Sequence, residues 1–406
     1  MGGKVRVLTK PVSHFKRVCT TVVALAILVS ATAAFAAVGF QAFATTNDAA
    51  TGEKPQSKLW FHDGSFWAAI QGPQGVAIFE KTGNTWVQTA SMDAVLAPMG
   101  NCDVKWDGTR LFILVYNTTP QLFKYSYDAA LRIWLLESGF PVTLPRPSGS
   151  ETMVLDEDST GRLWAVAEGN TNICVYSSLS ADHRIWSPSP IVLRTGVNAD
   201  DICSVIAFGG DKVGVFWSDQ TRDELGFRIH HDGADPSVWD AEEVVDSGLG
   251  FADDHIHLAV DAQAQVYALT KDDFDKMQLH RRSLNGLWST QRDVVGGTGT
   301  RGIIMISDAD QKIYAIYTRW GGTVDPIEYR EASLADLQFG PANTLMTSGT
   351  ASSLNNATGT KQALPAGTLV AMADGGKAVW WNGWPAAASS TQPPAPPANV
   401  AAVLQT

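Results

Sequence analysis

The chain has 406 residues, of which 45% are hydrophobic, 9% aromatic and 17% charged. That is enough apolar material for a large core and too little charge for disorder, so fibrous and disordered classes are excluded. The formal charge is -11 and becomes -16 without residues 1–44, which hold five basic residues and no acid; a chain this acidic repels phosphate backbones and anionic headgroups, which leaves nucleic acid and membrane surfaces as poor partners.

In chain order, a basic stretch from Lys4 to Arg17 precedes an apolar or small run from Val18 to Val38, with Ala-Phe-Ala steps at 34–36 and 42–44. That order predicts a secretory signal over residues 1–44. The same run is long enough to act as an uncleaved anchor, since a bilayer needs about 20 residues. Either way the remainder is expected to be secreted or on the cell surface, with no membrane insertion once the signal is removed. Residues 45–57 are expected as a linker, 58–384 as the folded domain, and 385–406 as a Pro-rich linker followed by the start of a truncated module. Beyond Cys19 in the leader, the odd set Cys102, Cys174 and Cys203 excludes a fully paired disulfide framework. These three are expected as buried small hydrophobes, with one bridge left open.

Between residues 58 and 384 an aromatic residue closes a turn at Trp86, Trp134, Trp186, Trp239, Trp288 and Phe339, at gaps of 48, 52, 53, 49 and 51 residues. Before each lies the same order of short apolar strands and Asp/Gly turns, as in residues 152–193. Four short strands per unit at this period predict an all-β fold, a β-propeller of six full four-stranded blades plus a two-stranded closing element over Thr368–Trp384. A seven-bladed ring is the simplest reading, and a six-bladed ring with an appended hairpin is the runner-up.

Inner strands of a propeller all run the same way, so the residues entering them crowd one mouth of the central channel. Here those residues include Glu151, Asp200, Asp201, Asp253, Asp254, His255, His257, Arg301, Asn355 and Lys361. Adjacent blades repeat an acidic pair, Asp200-Asp201 and Asp253-Asp254. Paired carboxylates serve three ends: general acid and base in glycoside cleavage, oxygen ligation of calcium, or hydrogen bonding that fixes the turn into an inner strand. For catalysis the residues are Glu151, Asp201 and Asp254 with His255 in support; for calcium they are Asp200, Asp201, Asp253 and Asp254. His255 and His257 alternate by two and share one side of their strand, where they either ligate zinc or are hydrogen-bonded inside the channel. Arg301 and Lys361 either hold a ligand carboxylate or sulfate, or neutralise the acidic ring. Trp320, in a loop at the same mouth, offers a flat face to a sugar. Asp156–Gly161 imitates the start of a calcium loop but has Ala167 in place of the closing Glu, so a hairpin turn explains it better.

The hairpins Ser283-Leu284-Asn285-Gly286-Leu287-Trp288 and His231-Asp232-Gly233 before Trp239 resemble a decayed Asp-box of sialidase-like propellers. The chain is also similar to uncharacterised secreted bacterial propellers that share segments such as Asp200-Asp201-Ile202 and Asn355-Asn356-Ala357-Thr358. The resemblance implies fold and export. The sialidase Phe-Arg-Ile-Pro motif is absent, so no catalytic residue transfers. The expected function is binding of an extracellular ligand, a glycan above all, at the acidic mouth. A glycoside hydrolase using the same carboxylates, and a structural module of a larger adhesin, are the alternatives.

Overall fold

The computed structural model of the chain describes residues 1–2, 37–52, 54–91, 102–116 and 119–384. The first Ala-Phe-Ala step and the Pro-rich segment from residue 385 lie outside the described residues. Every regular element described is a β-strand, and the strands form seven sheets, one per blade. The inner strands are Leu59–His62, Cys102–Trp106, Val154–Glu157, Cys203–Phe208, Ile256–Val260, Gly299–Ser307 and Asn355–Thr358, and neighbouring strands within each blade are antiparallel. The seven-bladed expectation holds.

Apolar clusters lie between blades. One joins Trp67, Ile78, Val104 and Ile113 of the first two blades, and another joins Phe216, Phe227, Leu258 and Ala268 of the fourth and fifth. This is why the second strands Leu111–Val115 and Leu163–Gly169 are buried along their whole length: a sheet on each side leaves no solvent face. The periodic aromatics seal these interfaces. Trp134 meets Trp67 edge-on at 5.6 Å, Trp239 meets Trp164 at 5.6 Å and Trp288 meets Phe216 at 5.9 Å, each pair spanning two blades. Six blades also carry a register shift where the third strand pairs with the fourth, which adds the local twist a propeller blade needs. In the fourth blade a Cβ at Gly226 would lie 2.3 Å from the ring of its cross-strand partner Trp217, so glycine there lets the indole cover the backbone.

The seventh blade departs from expectation. The sequence suggests only two strands between Thr368 and Trp384, but the blade has four. Its inner strand is the short polar Asn355–Thr358, and its outer strand is Phe40–Ala44, which pairs with Ala378–Trp381 from the other end of the chain. Joining the two chain ends in one sheet closes the ring. The expected boundaries at residues 44 and 57 therefore do not coincide with the edge of the propeller. Phe40–Ala44 lies within it, and the segment expected as a linker carries buried Thr45, Thr51, Gln56 and Ser57. Cys102, Cys174 and Cys203 are buried free thiols, as small core residues.

Candidate functional sites at the two channel mouths

At the mouth where the inner strands begin, the chain fills its own channel. Leaving Phe40–Ala44, the backbone crosses the mouth and descends towards the first inner strand. Both the amide and the hydroxyl of Thr51 donate to Asp374 Oδ2, at 2.9 and 2.7 Å. Burial pushes the Asp374 carboxyl up to about 7, while the Thr51 and Asn356 donors pull it back. Lys54 contacts Asp254 Oδ2 and lies 3.6 Å from Glu151 Oε2, with its side chain only 5% exposed. Further in, Gln56 Nε2 donates to Met153 O at 3.0 Å, and Ser57 N donates to Asp103 Oδ1 at 2.9 Å.

The sequence-predicted residues separate around this plug. One carboxylate oxygen from each of Glu151, Asp200 and Asp254 lies within 4.8 Å of the others, a spacing that suits a cation. Lys54 already brings a positive charge to two of the three. Asp253, Asp254 and His255 form a second close group, with His255 Nδ1 at 2.6 Å from Asp253 and 2.5 Å from Asp254. Asp253 is also paired with Lys271 at 2.6 Å. Burial lowers the His255 pKa to about 4, so the ring is neutral: Nδ1–H donates to a carboxylate and Nε2 faces Thr300 Oγ1 at 3.3 Å. Asp201 is buried and accepts from Asn198 N at 2.6 Å and Gln220 N at 3.1 Å, so its carboxylate holds the turn.

His257 points into the channel core. Burial pushes its pKa down to about 3, Nδ1 accepts from Ile304 N at 3.3 Å, and Nε2–H is left to donate to Ser57 Oγ at 3.3 Å. Lys361, expected at the acidic mouth, instead lies inside the channel, 2.7 Å from the fully buried Asp103, and also donates to Leu155 O. It follows the short inner strand of the seventh blade, which carries it past the mouth. Arg301 Nη1 donates to Asn356 Oδ1 at 3.0 Å, and both residues have left-handed backbones, φ 51° and 53°, at irregularities in their strands. Such bulges turn side chains across the mouth. Asn355 accepts from Thr318 Oγ1 at 3.1 Å, and Trp320 is 55% exposed on the loop after Lys312–Arg319. Among the described residues, the cavity beside Lys54, His255 and Arg301 holds about 10 Å3.

The opposite mouth, ringed by the hairpins that follow the inner strands, is open. A cavity of about 610 Å3 lies among Lys105, Trp106, Asp107, Glu157, Lys212 and Asp232, and adjoins one of about 280 Å3 that reaches Lys361. Trp106 is half-buried; His62 and Trp134 pack against it with ring centroids at 4.6 and 5.4 Å. Lys105 Nζ lies 2.5 Å from the buried Asp156. Burial opposes ionisation of Asp156, but Lys105 and Lys361 hold its carboxyl below the usual range. Glu157 goes the other way: burial, then the nearby Asp107, pushes it up to about 7. Asp158, in the stretch that imitates a calcium loop, accepts from Thr160 N and Arg162 N, both at 2.9 Å, and from Trp164 Nε1 at 2.9 Å. That carboxylate is committed to a hairpin turn.

No family model matches the sequence, and no curated protein does. Among solved structures, the BP39L lectin from Burkholderia pseudomallei superposes with a TM-score of 0.55 at 13% identity, over 81% of this chain and 98% of that one. A protein of unknown function from Dyadobacter fermentans gives 0.48 at 12% identity over 70% and 92%. Aleuria aurantia lectin, a six-bladed propeller with a described fucose recognition mode, gives 0.39 at 13% over 56% and 73%. At 13% identity the likeness to the BP39L lectin bears on the fold alone.

Proposed function

We propose that the protein is exported and binds a carbohydrate, and that the ligand enters the open funnel ringed by the hairpins instead of the acidic mouth. The observation that carries this reading is the contrast between the two ends of one channel: about 610 Å3 lined by polar side chains and a half-buried indole at one, and about 10 Å3 beside Lys54 at the other. An indole face suits the C–H face of a pyranose. The Lys105 and Lys212 ammoniums donate, Asp107 and Asp232 accept, and Glu157 near neutral pH does either, so the wall offers both halves of the pairing a hydroxyl-rich ligand needs. The BP39L protein shows that this fold serves a lectin, and the leader-like order of residues 4–38 supports export.

A glycan array incubated with the exported protein tests the reading, scoring both retention and sugar release. Retention on a subset of spots is expected, and Trp106→Ala should weaken it by up to about tenfold, the equivalent of ~1.4 kcal/mol of lost stacking. Undiminished retention by this variant would place the ligand elsewhere. Sugar release would move the reading to a glycoside hydrolase.

A further inference from the structure

The propeller uses residues that a leader ending at 44 would carry away. Thr347 N donates to Ala37 O at 2.9 Å and Gly39 N donates to Thr347 O at 2.8 Å. Phe40 stacks on Trp381 at 5.1 Å, Phe43 stacks on Phe79 at 4.1 Å, and Phe40–Ala44 forms the fourth strand of the seventh blade.

Both Ala-Phe-Ala steps place small residues one and three positions before a scissile bond, the pattern that a signal peptidase reads. They differ in what a cut would leave. Hydrolysis after Ala44 removes a whole strand, uncovers the Trp381 and Phe79 rings, and leaves Ala378–Trp384 as an open sheet edge. Hydrolysis after Ala36 leaves every contact named above in place. The order of synthesis agrees, because the partner strand Ala378–Trp384 emerges long after Phe40–Ala44 and the bond is still unpaired when a leader first crosses a membrane.

We infer that the leader is removed at the Ala36–Ala37 bond and that the working protein begins at Ala37. In this step water is consumed: the Ala36 carbonyl carbon gains the hydroxyl and departs with the leader as a carboxylate, while the Ala37 nitrogen becomes the new α-ammonium. The peptidase supplies the catalytic groups. The inference rests on the export reading proposed above, and one experiment separates their failures.

The full chain is produced in a host with a signal peptidase, fractionated, and the N-terminus read by intact mass and terminal sequencing. Exported protein beginning at Ala37 is the expected result. Exported protein beginning at Thr45, or retaining Met1, would overturn the cleavage site while leaving export standing. Protein confined to the cytoplasm would overturn both. Replacing Ala34 and Ala36 together by Leu should abolish the Ala37 terminus, and an Ala37 terminus that persists would contradict the assignment. As a measurement free of processing, a chain started at Thr45 should melt at a lower temperature than one started at Ala37; equal melting would show that the strand does not need to be kept.

Discussion

Thr51 and Asp374 are 323 residues apart in sequence, yet Thr51 gives both its amide and its hydroxyl to one oxygen of Asp374, in a site from which solvent is excluded. This contact ties the segment crossing the mouth to the second strand of the seventh blade, where the chain ends meet. Thr51→Val keeps the shape and amide and removes the hydroxyl. Loss of a buried hydrogen bond to a carboxyl group should cost about 1–3 kcal/mol. Urea unfolding at constant slope checks it, and an unchanged midpoint would show that the contact adds nothing.

Lys54 is the counter-charge of the acidic mouth. Lys54→Met should destabilise the fold by about 1–3 kcal/mol, below the ~3–5 kcal/mol of a fully buried pair because Glu151 and Asp254 keep some solvent contact. Pairing it with Asp254→Asn should recover part of the loss. A double-mutant cycle measures the coupling, and strictly additive losses would refute a direct pair. The Lys54→Met protein should also gain affinity for calcium, read as a rise in melting temperature on adding the ion.

His257 makes the fold acid-sensitive in a calculable direction. Its folded pKa is about 3 against 6.5 when exposed, so below pH 6.5 the unfolded chain takes up a proton that the fold refuses. Stability from this residue is complete above pH 6.5 and falls by about 1.4 kcal/mol per pH unit as the pH drops towards 3. Glu157, Glu168 and Asp374, each raised to about 7, act in the opposite sense, losing stability as the pH rises from about 4 to 7. The wild-type profile is thus a difference of opposing terms. Comparing it with His257→Asn isolates one of them: the advantage of the wild type should shrink as the pH falls from 6.5 to 4. A pH-independent difference would mean that His257 is not held neutral.

The blade count was legible because Trp134, Trp239 and Trp288 each pack across an interface between blades, so one physical need recurs once per blade. The seventh blade was not. Its inner strand, Asn355–Thr358, is short and polar, and its outer strand lies directly after an apolar stretch, where β-forming and leader-like composition coincide. At the mouth, Glu151, Asp200 and Asp254 could be placed together because each precedes an inner strand. Lys54 could not, since a cation in an irregular segment carries no periodicity and only the folded path brings it to them. The funnel was missed for a related reason. Asp156–Gly161 reads as a hairpin turn, although Asp156 and Glu157 still belong to the inner strand Val154–Glu157, and nothing in a turn pattern reveals that this hairpin and Trp106 of the neighbouring blade border a cavity.

The central claim is that ligand enters at the funnel and not at the plugged mouth. Hydrogen exchange measured with and without a sugar retained on the array tests it most directly. Slowed exchange confined to residues 105–110, 157–162, 207–212 and 260–264 is the predicted result. Slowed exchange at 198–202, 251–257 and 298–301, with the funnel hairpins unchanged, would contradict the account and return the ligand to the acidic mouth.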